Sequence, residues 1–155
     1  MRTTFAAVLI NKIHRAYWFI FRPKTKGVKV ILFNDNRILM VRLTYYPNTW
    51  TFPGGGVHKN ETTNDAIVRE CQEEVGIKLQ DPKYIGDLYF EHEYKKDTLS
   101  VFSQNIDNQD IKIDGKEVAE AKWCELNKLP AMGKNARSIL DFVIKNSNLT
   151  INHGS

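Results

Sequence analysis

Glu70, Glu73 and Glu74 stand at i, i+3 and i+4 within Gly55–Ile77, GGVHKNETTNDAIVRECQEEVGI. On an α-helix of about 3.6 residues per turn these carboxylates share one face. Like charges at that spacing repel, so the arrangement costs stability unless a cation offsets it. Arg69 reaches Glu73 at i+4, but one guanidinium does not balance three glutamates. A divalent cation does. Hard ions such as Mg²⁺ take carboxylate, carbonyl and water oxygens, and bridge protein carboxylates to substrate phosphates. Gly54-Gly55-Gly56, just upstream, lets the backbone approach a phosphate or lend a carbonyl to such an ion. For the three glutamates taken alone, a solvated acidic helix face is the plainer alternative.

The elements that must position these residues follow from periodicity. Gly27–Phe33 and Arg37–Leu43 are aliphatic runs flanking Asn34-Asp35-Asn36, which predicts a β-hairpin. After Pro47-Asn48 a short strand, Trp50–Phe52, enters the glycine loop. A helix is expected over 63–75, started by a capping box at Thr62-x-x-Asp65 and ended by Gly76. Ile67, Val68, Cys71 and Val75 form its core-facing stripe. Strands at 83–94, 97–105 and 118–124 and a last helix at 135–145 complete a mixed α/β domain.

At 155 residues, 42% hydrophobic and 26% charged, the chain has the size and composition of one globular domain, not a disordered one. Cys71 and Cys124 are too few for a disulfide framework. The net charge of +4 conceals two opposite regions. Residues 1–34 carry seven basic residues and no acid, whereas 55–77 carry five acids against Lys59 and Arg69. Phe5, Val8, Leu9, Ile13, Ala16, Tyr17 and Ile20 recur at helical spacing, predicting a basic amphipathic helix within an extension over 1–26. Packing on its own domain or on a second copy is the plain use of such a helix; organelle targeting or membrane-surface binding is the alternative. No apolar run is long enough for a transmembrane span. Seven charges spread over 34 residues without recognition motifs do not point to nucleic acid. Asn60-Glu-Thr and Asn148-Leu-Thr are sequons only in a secreted chain.

Gly55-x5-Glu61-x7-Arg69-Glu70-Cys71-x-Glu73-Glu74-x-Gly76-Ile77 resembles the Nudix box, G-x5-E-x7-R-E-U-x-E-E-x-G-U with U apolar, at every fixed position. Trp50-Thr51-Phe52-Pro53-Gly54-Gly55-Gly56 is similar to the approach strand of MutT-like members, and Glu117 to Trp123 to their acid-x5-Trp strand. The resemblance covers about residues 27–130 and implies a Nudix-type α/β/α sandwich with a central mixed β-sheet, placed at 27–146 ahead of a polar tail at 147–155.

The same resemblance implies Mg²⁺-dependent hydrolysis of a nucleoside diphosphate linked to another group, with Mn²⁺ as an alternative ion. Glu70, Glu73 and Glu74 would be metal ligands, joined by the Gly54 carbonyl and by Glu117. Glu70 is the first choice for acting on the attacking water and Glu117 the alternative; Glu61 and Arg69 would hold Glu70 in its working rotamer. Tyr45, Tyr46, Trp50, His92 and Tyr94 are candidates to stack on or hydrogen-bond a base, and Arg42, Lys95 and Lys96 to meet phosphates. A nucleoside triphosphate, canonical or oxidised, cleaved to monophosphate and pyrophosphate is the first expectation. ADP-ribose or a nucleotide sugar is the second, and a nucleotide sensor without turnover the third. The partner expected is a small nucleotide, in the cytoplasm, for a monomer or for a homodimer formed through residues 1–26.

Overall fold

The structure, a computed structural model, describes residues 24–92, 95–107 and 110–147. The predicted amphipathic helix, Tyr94 and most of the polar tail lie outside them. The described elements are β1 (Lys24–Asn34), β2 (Arg37–Leu43), β3 (Trp50–Thr51), α1 (Thr63–Val75), β4 (Lys83–His92), β5 (Lys95–Asn105), β6 (Val118–Glu125) and α2 (Lys134–Asn146). Expected and observed bounds agree closely; β1 begins three residues earlier and β5 two.

Alternation along the strands decides the layers, because successive side chains point to opposite faces. Val28, Val30 and Leu32 of β1 and Leu39, Val41 and Leu43 of β2 pack with Ala66, Ile67, Cys71 and Val75 of α1. Ile31 and Phe33, with Ile38 and Met40, pack on the other face with Ala136, Ile139, Leu140 and Val143 of α2. The result is a mixed sheet between two helices, each fully buried Ile, Leu or Val contributing roughly 1.5–3 kcal/mol. One position breaks the rule. Lys29 falls on the α2 side, in register with Ile31 and Phe33.

The sheet opens where the site lies. β1 and β2 pair as a hairpin only at Phe33↔Ile38 and Asn34↔Arg37, around Asp35 at φ 52°. β2 then continues with β6 on one side and β3 on the other, while β1 runs parallel to β5. The gap along β1 is filled by the glycine loop: Val28 N–H donates to Gly55 O (2.9 Å), Val30 N–H to Pro53 O (3.0 Å), and Val57 N–H to Lys26 O (3.1 Å). The loop thus serves as a backbone partner of β1, which satisfies buried amides that would otherwise be orphaned. No described helix is long and apolar enough to cross a membrane.

Candidate active site

α1 sets the geometry of the acidic cluster and is held at both ends. The Thr62 hydroxyl accepts from Asp65 N–H (3.0 Å) and donates to Asp65 Oδ2 (2.7 Å), so Asp65 bonds to the capping hydroxyl instead of closing the box on the Thr62 amide. Gly76 takes φ 72° at the C-terminus, a left-handed conformation that favours glycine. Between these ends Glu70 and Glu74 are buried, 8% and 4% exposed, whereas the Glu73 side chain is 60% exposed. The shared face is therefore divided: two carboxylates lie under the glycine loop and one stands at its rim.

Arg69 is the hub. Its guanidinium donates to Glu61 through Nε (2.7 Å) and Nη2 (3.0 Å), to Glu70 Oε1 (2.7 Å), to Gly56 O (2.9 Å) and, more loosely, to Glu73 Oε2 (3.4 Å). Glu61 also accepts from His58 N–H (2.8 Å). The hydrogen bonds from Arg69 pull the Glu61 carboxyl down to about 2. Helix, loop and Glu70 are thereby fixed together through charge-assisted bonds. Glu74 is held differently, accepting from Gly54 N–H at 2.8 Å. Among the described residues no three acid, histidine or cysteine side chains converge on one point in this arrangement, since Glu70 and Glu73 turn to Arg69 and Glu74 to the loop. The donor set is nevertheless that of a hard cation, with buried carboxylate oxygens beside loop carbonyls.

Burial pushes the Glu74 carboxyl up to about 7, with Glu70 and Glu117 adding to the rise and Lys29 and the Gly54 amide opposing it. Its proton is therefore held more tightly in the folded chain than in the unfolded one. The associated stability is present below about pH 4.5 and lost as pH rises through about 7. In EDTA, the folding free energy should fall by up to about 3 kcal/mol between these limits, and Glu74→Gln should flatten that fall and be the more stable protein near pH 8. Denaturant titrations across that range check this; parallel pH profiles for the two proteins would contradict it.

A cleft of about 720 Å³ lies on the α2 side, lined by Lys29, Tyr45, Tyr46, Trp50, Gly54–Gly56, Phe90 and the start of α2. That volume suits a nucleotide-sized ligand. Tyr45 and Tyr46 are 60% and 64% exposed, their rings edge-to-face with centroids 5.1 Å apart. Burial, and then Glu117 and Glu74, raise the Tyr45 hydroxyl's pKa. Trp50 is 9% exposed, with Lys122 Nζ 4.1 Å from its ring centroid and Arg42 near the ring as well. Arg42 also pairs with Glu120 at 3.0 Å. Trp50 and Arg42 are thus engaged across β2, β3 and β6. Glu117 is exposed just ahead of β6, its carbonyl accepting from Thr44 N–H beside Tyr45. His92 ends β4 opposite Lys95. Sequence reasoning missed Lys29 and Phe90, although a single lysine inside VKVILF was a visible irregularity.

A mixed sheet between two helices, with a glycine loop clamped over an arginine-tied glutamate cluster, defines the Nudix fold and the box that marks it. Residues 23–142 match the family described as NUDIX domain, and the chain belongs to that family. It is 31% identical over 116 residues to a protein named NAD-capped RNA hydrolase NudC from Shigella dysenteriae serotype 1 (strain Sd197), a match covering 72% of this chain and 44% of that protein. The chain thus spans less than half the length of this relative. Among solved structures it is similar to a MutT NUDIX hydrolase from Burkholderia pseudomallei, with TM-score 0.71 and 22% identity over 78% of this chain and 98% of that one. It is also similar to the NUDIX domain of Shewanella oneidensis NrtR complexed with ADP ribose, with TM-score 0.68 and 17% identity over 92% and 98%.

Proposed function

We propose that this chain hydrolyses a phosphoanhydride bond in a nucleoside diphosphate linked to a further group. The observation that carries the reading is the Arg69 hub, which fixes Glu70 against the glycine loop while Glu74 lies buried beside it. Cleaving a phosphoanhydride requires charge neutralisation on the phosphoryl oxygens and a positioned water, with little covalent work for the protein. Glu70, Glu73 and Glu74 would hold a divalent cation, with Glu117, just ahead of β6, as a further ligand. When bound, such an ion neutralises phosphoryl oxygens and acidifies water in the site. Glu70 orients the attacking water or takes its proton, Arg69 and Glu61 keep Glu70 in place, and Glu117 is the alternative base. Tyr45 and Tyr46 offer exposed aromatic edges and faces to a base at the mouth of the cleft.

For the group beyond the diphosphate, likeness to a NAD-capped RNA hydrolase and to a domain complexed with ADP ribose supports a dinucleotide or ADP-ribose type of substrate. The MutT-like approach strand Trp50–Gly56 supports the second reading, a nucleoside triphosphate yielding monophosphate and pyrophosphate. Incubation of the chain with Mg²⁺ and ADP-ribose, NAD and nucleoside triphosphates, with products resolved by chromatography, separates the two. AMP from the first pair supports the dinucleotide reading, and pyrophosphate from the triphosphates supports the second. No product from any of them overturns both.

A further inference from the structure

Lys29 is a cation placed where the sequence pattern calls for an apolar side chain. Its neighbours on the same face of β1, Ile31 and Phe33, are core residues. Its ammonium is spent inside the site: Nζ donates to Phe52 O at 2.8 Å and to Gly54 O at 2.5 Å, the carbonyls on either side of Pro53. Burial pulls its pKa below the usual lysine range, and Glu74, Glu70 and Glu117 oppose that fall. Arg69 is already engaged by Glu61, Glu70 and Glu73, and Lys29 places a second basic side chain beside Glu74 and Glu70. The repulsion that Arg69 alone leaves unbalanced is therefore partly relieved from within the chain.

The Gly54 carbonyl is the oxygen the Nudix resemblance gives to the metal, and an ammonium already holds it. A divalent ion on the same oxygen would stand close to a positive charge in a partly buried site, where repulsion is weakly screened. We propose that Lys29 is a resident cation of this centre that keeps the Gly54 carbonyl from divalent metal and so lowers the metal affinity of the glutamate cluster. The inference rests on the metal-dependent reading of the site given above. Lys29 is a positioning residue in this scheme; it sets how tightly the carboxylates take metal and whether the loop shares in holding it.

The test is Mn²⁺ binding to the full chain, read from the electron paramagnetic resonance signal of free Mn²⁺, for the unaltered protein, Lys29→Met and Lys29→Arg. Lys29→Met removes the charge at similar length, and should bind Mn²⁺ at least about tenfold more tightly, whereas Lys29→Arg should keep the original affinity. Circular dichroism establishes that each is folded. Should Lys29→Met fail to fold, Lys29→Leu, apolar like its face neighbours Ile31 and Phe33 and unable to donate to the carbonyls, is judged by the same criterion. Affinity in the neutral variant that is unchanged, or weaker because the loop has lost its clamp, overturns the proposal. Mn²⁺ binding by none of the proteins is a different result: it removes the metal-dependent reading itself, and this inference with it.

Discussion

Glu70→Gln should leave the chain folded and lower turnover by about a thousandfold, a loss typical of removing a positioned acid–base group. Gln keeps the shape of the side chain and an oxygen that can accept from Arg69 Nη1, where Glu70 Oε1 now sits at 2.7 Å. The hub does not depend on Glu70, because Arg69 keeps its forked bond to Glu61 and its bond to Gly56 O. Removing one of two neighbouring buried carboxylates also relieves repulsion with Glu74, so the thermal midpoint should hold or rise. What disappears is the negative charge that would orient a water and help hold a cation. Measured kcat and thermal midpoint together decide it: near-original turnover would remove Glu70 from the mechanism, and unfolding would make its role structural.

Gly54→Ala should fail in the opposite way, through the fold. Gly54 has φ 132°, and a Cβ there would lie 2.1 Å from Val28 O and 2.9 Å from Lys29 Cα. Both atoms are backbone of β1, so no rotamer relieves the overlap. Either the loop leaves β1, losing bonds such as Val30 N–H to Pro53 O, or the strand shifts against two packed cores. A loss of about 4 kcal/mol or more is expected, at the diagnostic end of single substitutions. Gly55→Ala provides the contrast. Its Cβ would first meet the Glu70 carboxyl, at 2.7 Å, the movable end of a side chain. That protein should keep most of its stability and lose activity as Glu70 is displaced. Denaturant midpoints and kcat for the pair check the prediction; equal stability for both would show that the loop is not clamped to β1 as described.

These two residues also mark what was legible in the sequence. α1 could be bounded at 63–75 because its stops are local: a hydroxyl at Thr62 and a left-handed Gly76. The two cores could be read from strand alternation, since Val28, Val30 and Leu32 separate from Ile31 and Phe33 by period alone. The R-E-x-x-E-E spacing put three carboxylates on one side of a helix. It did not reveal that Glu73 stays at the rim, because that depends on where the loop passes over the helix. Non-local pairing was equally hidden. Nothing in the sequence of β1 announces that its partners are β5 and a glycine loop, or that Lys29 closes on Phe52 and Gly54 more than twenty positions away. In the sequence Trp50 is one candidate among several to stack on a base. What stacks on it here is Lys122, brought alongside by the pairing of β2 with β6.

The most direct measurement is the initial rate of phosphoanhydride hydrolysis as a function of Mg²⁺, followed by phosphorus NMR for the unaltered chain and Glu70→Gln side by side. A rate that rises to saturation with Mg²⁺, stops on chelation, and falls about a thousandfold in the variant is the expected result. Hydrolysis indifferent to both chelation and the loss of Glu70, or none with any nucleoside diphosphate derivative tried, would contradict a catalytic centre built on the α1 glutamates.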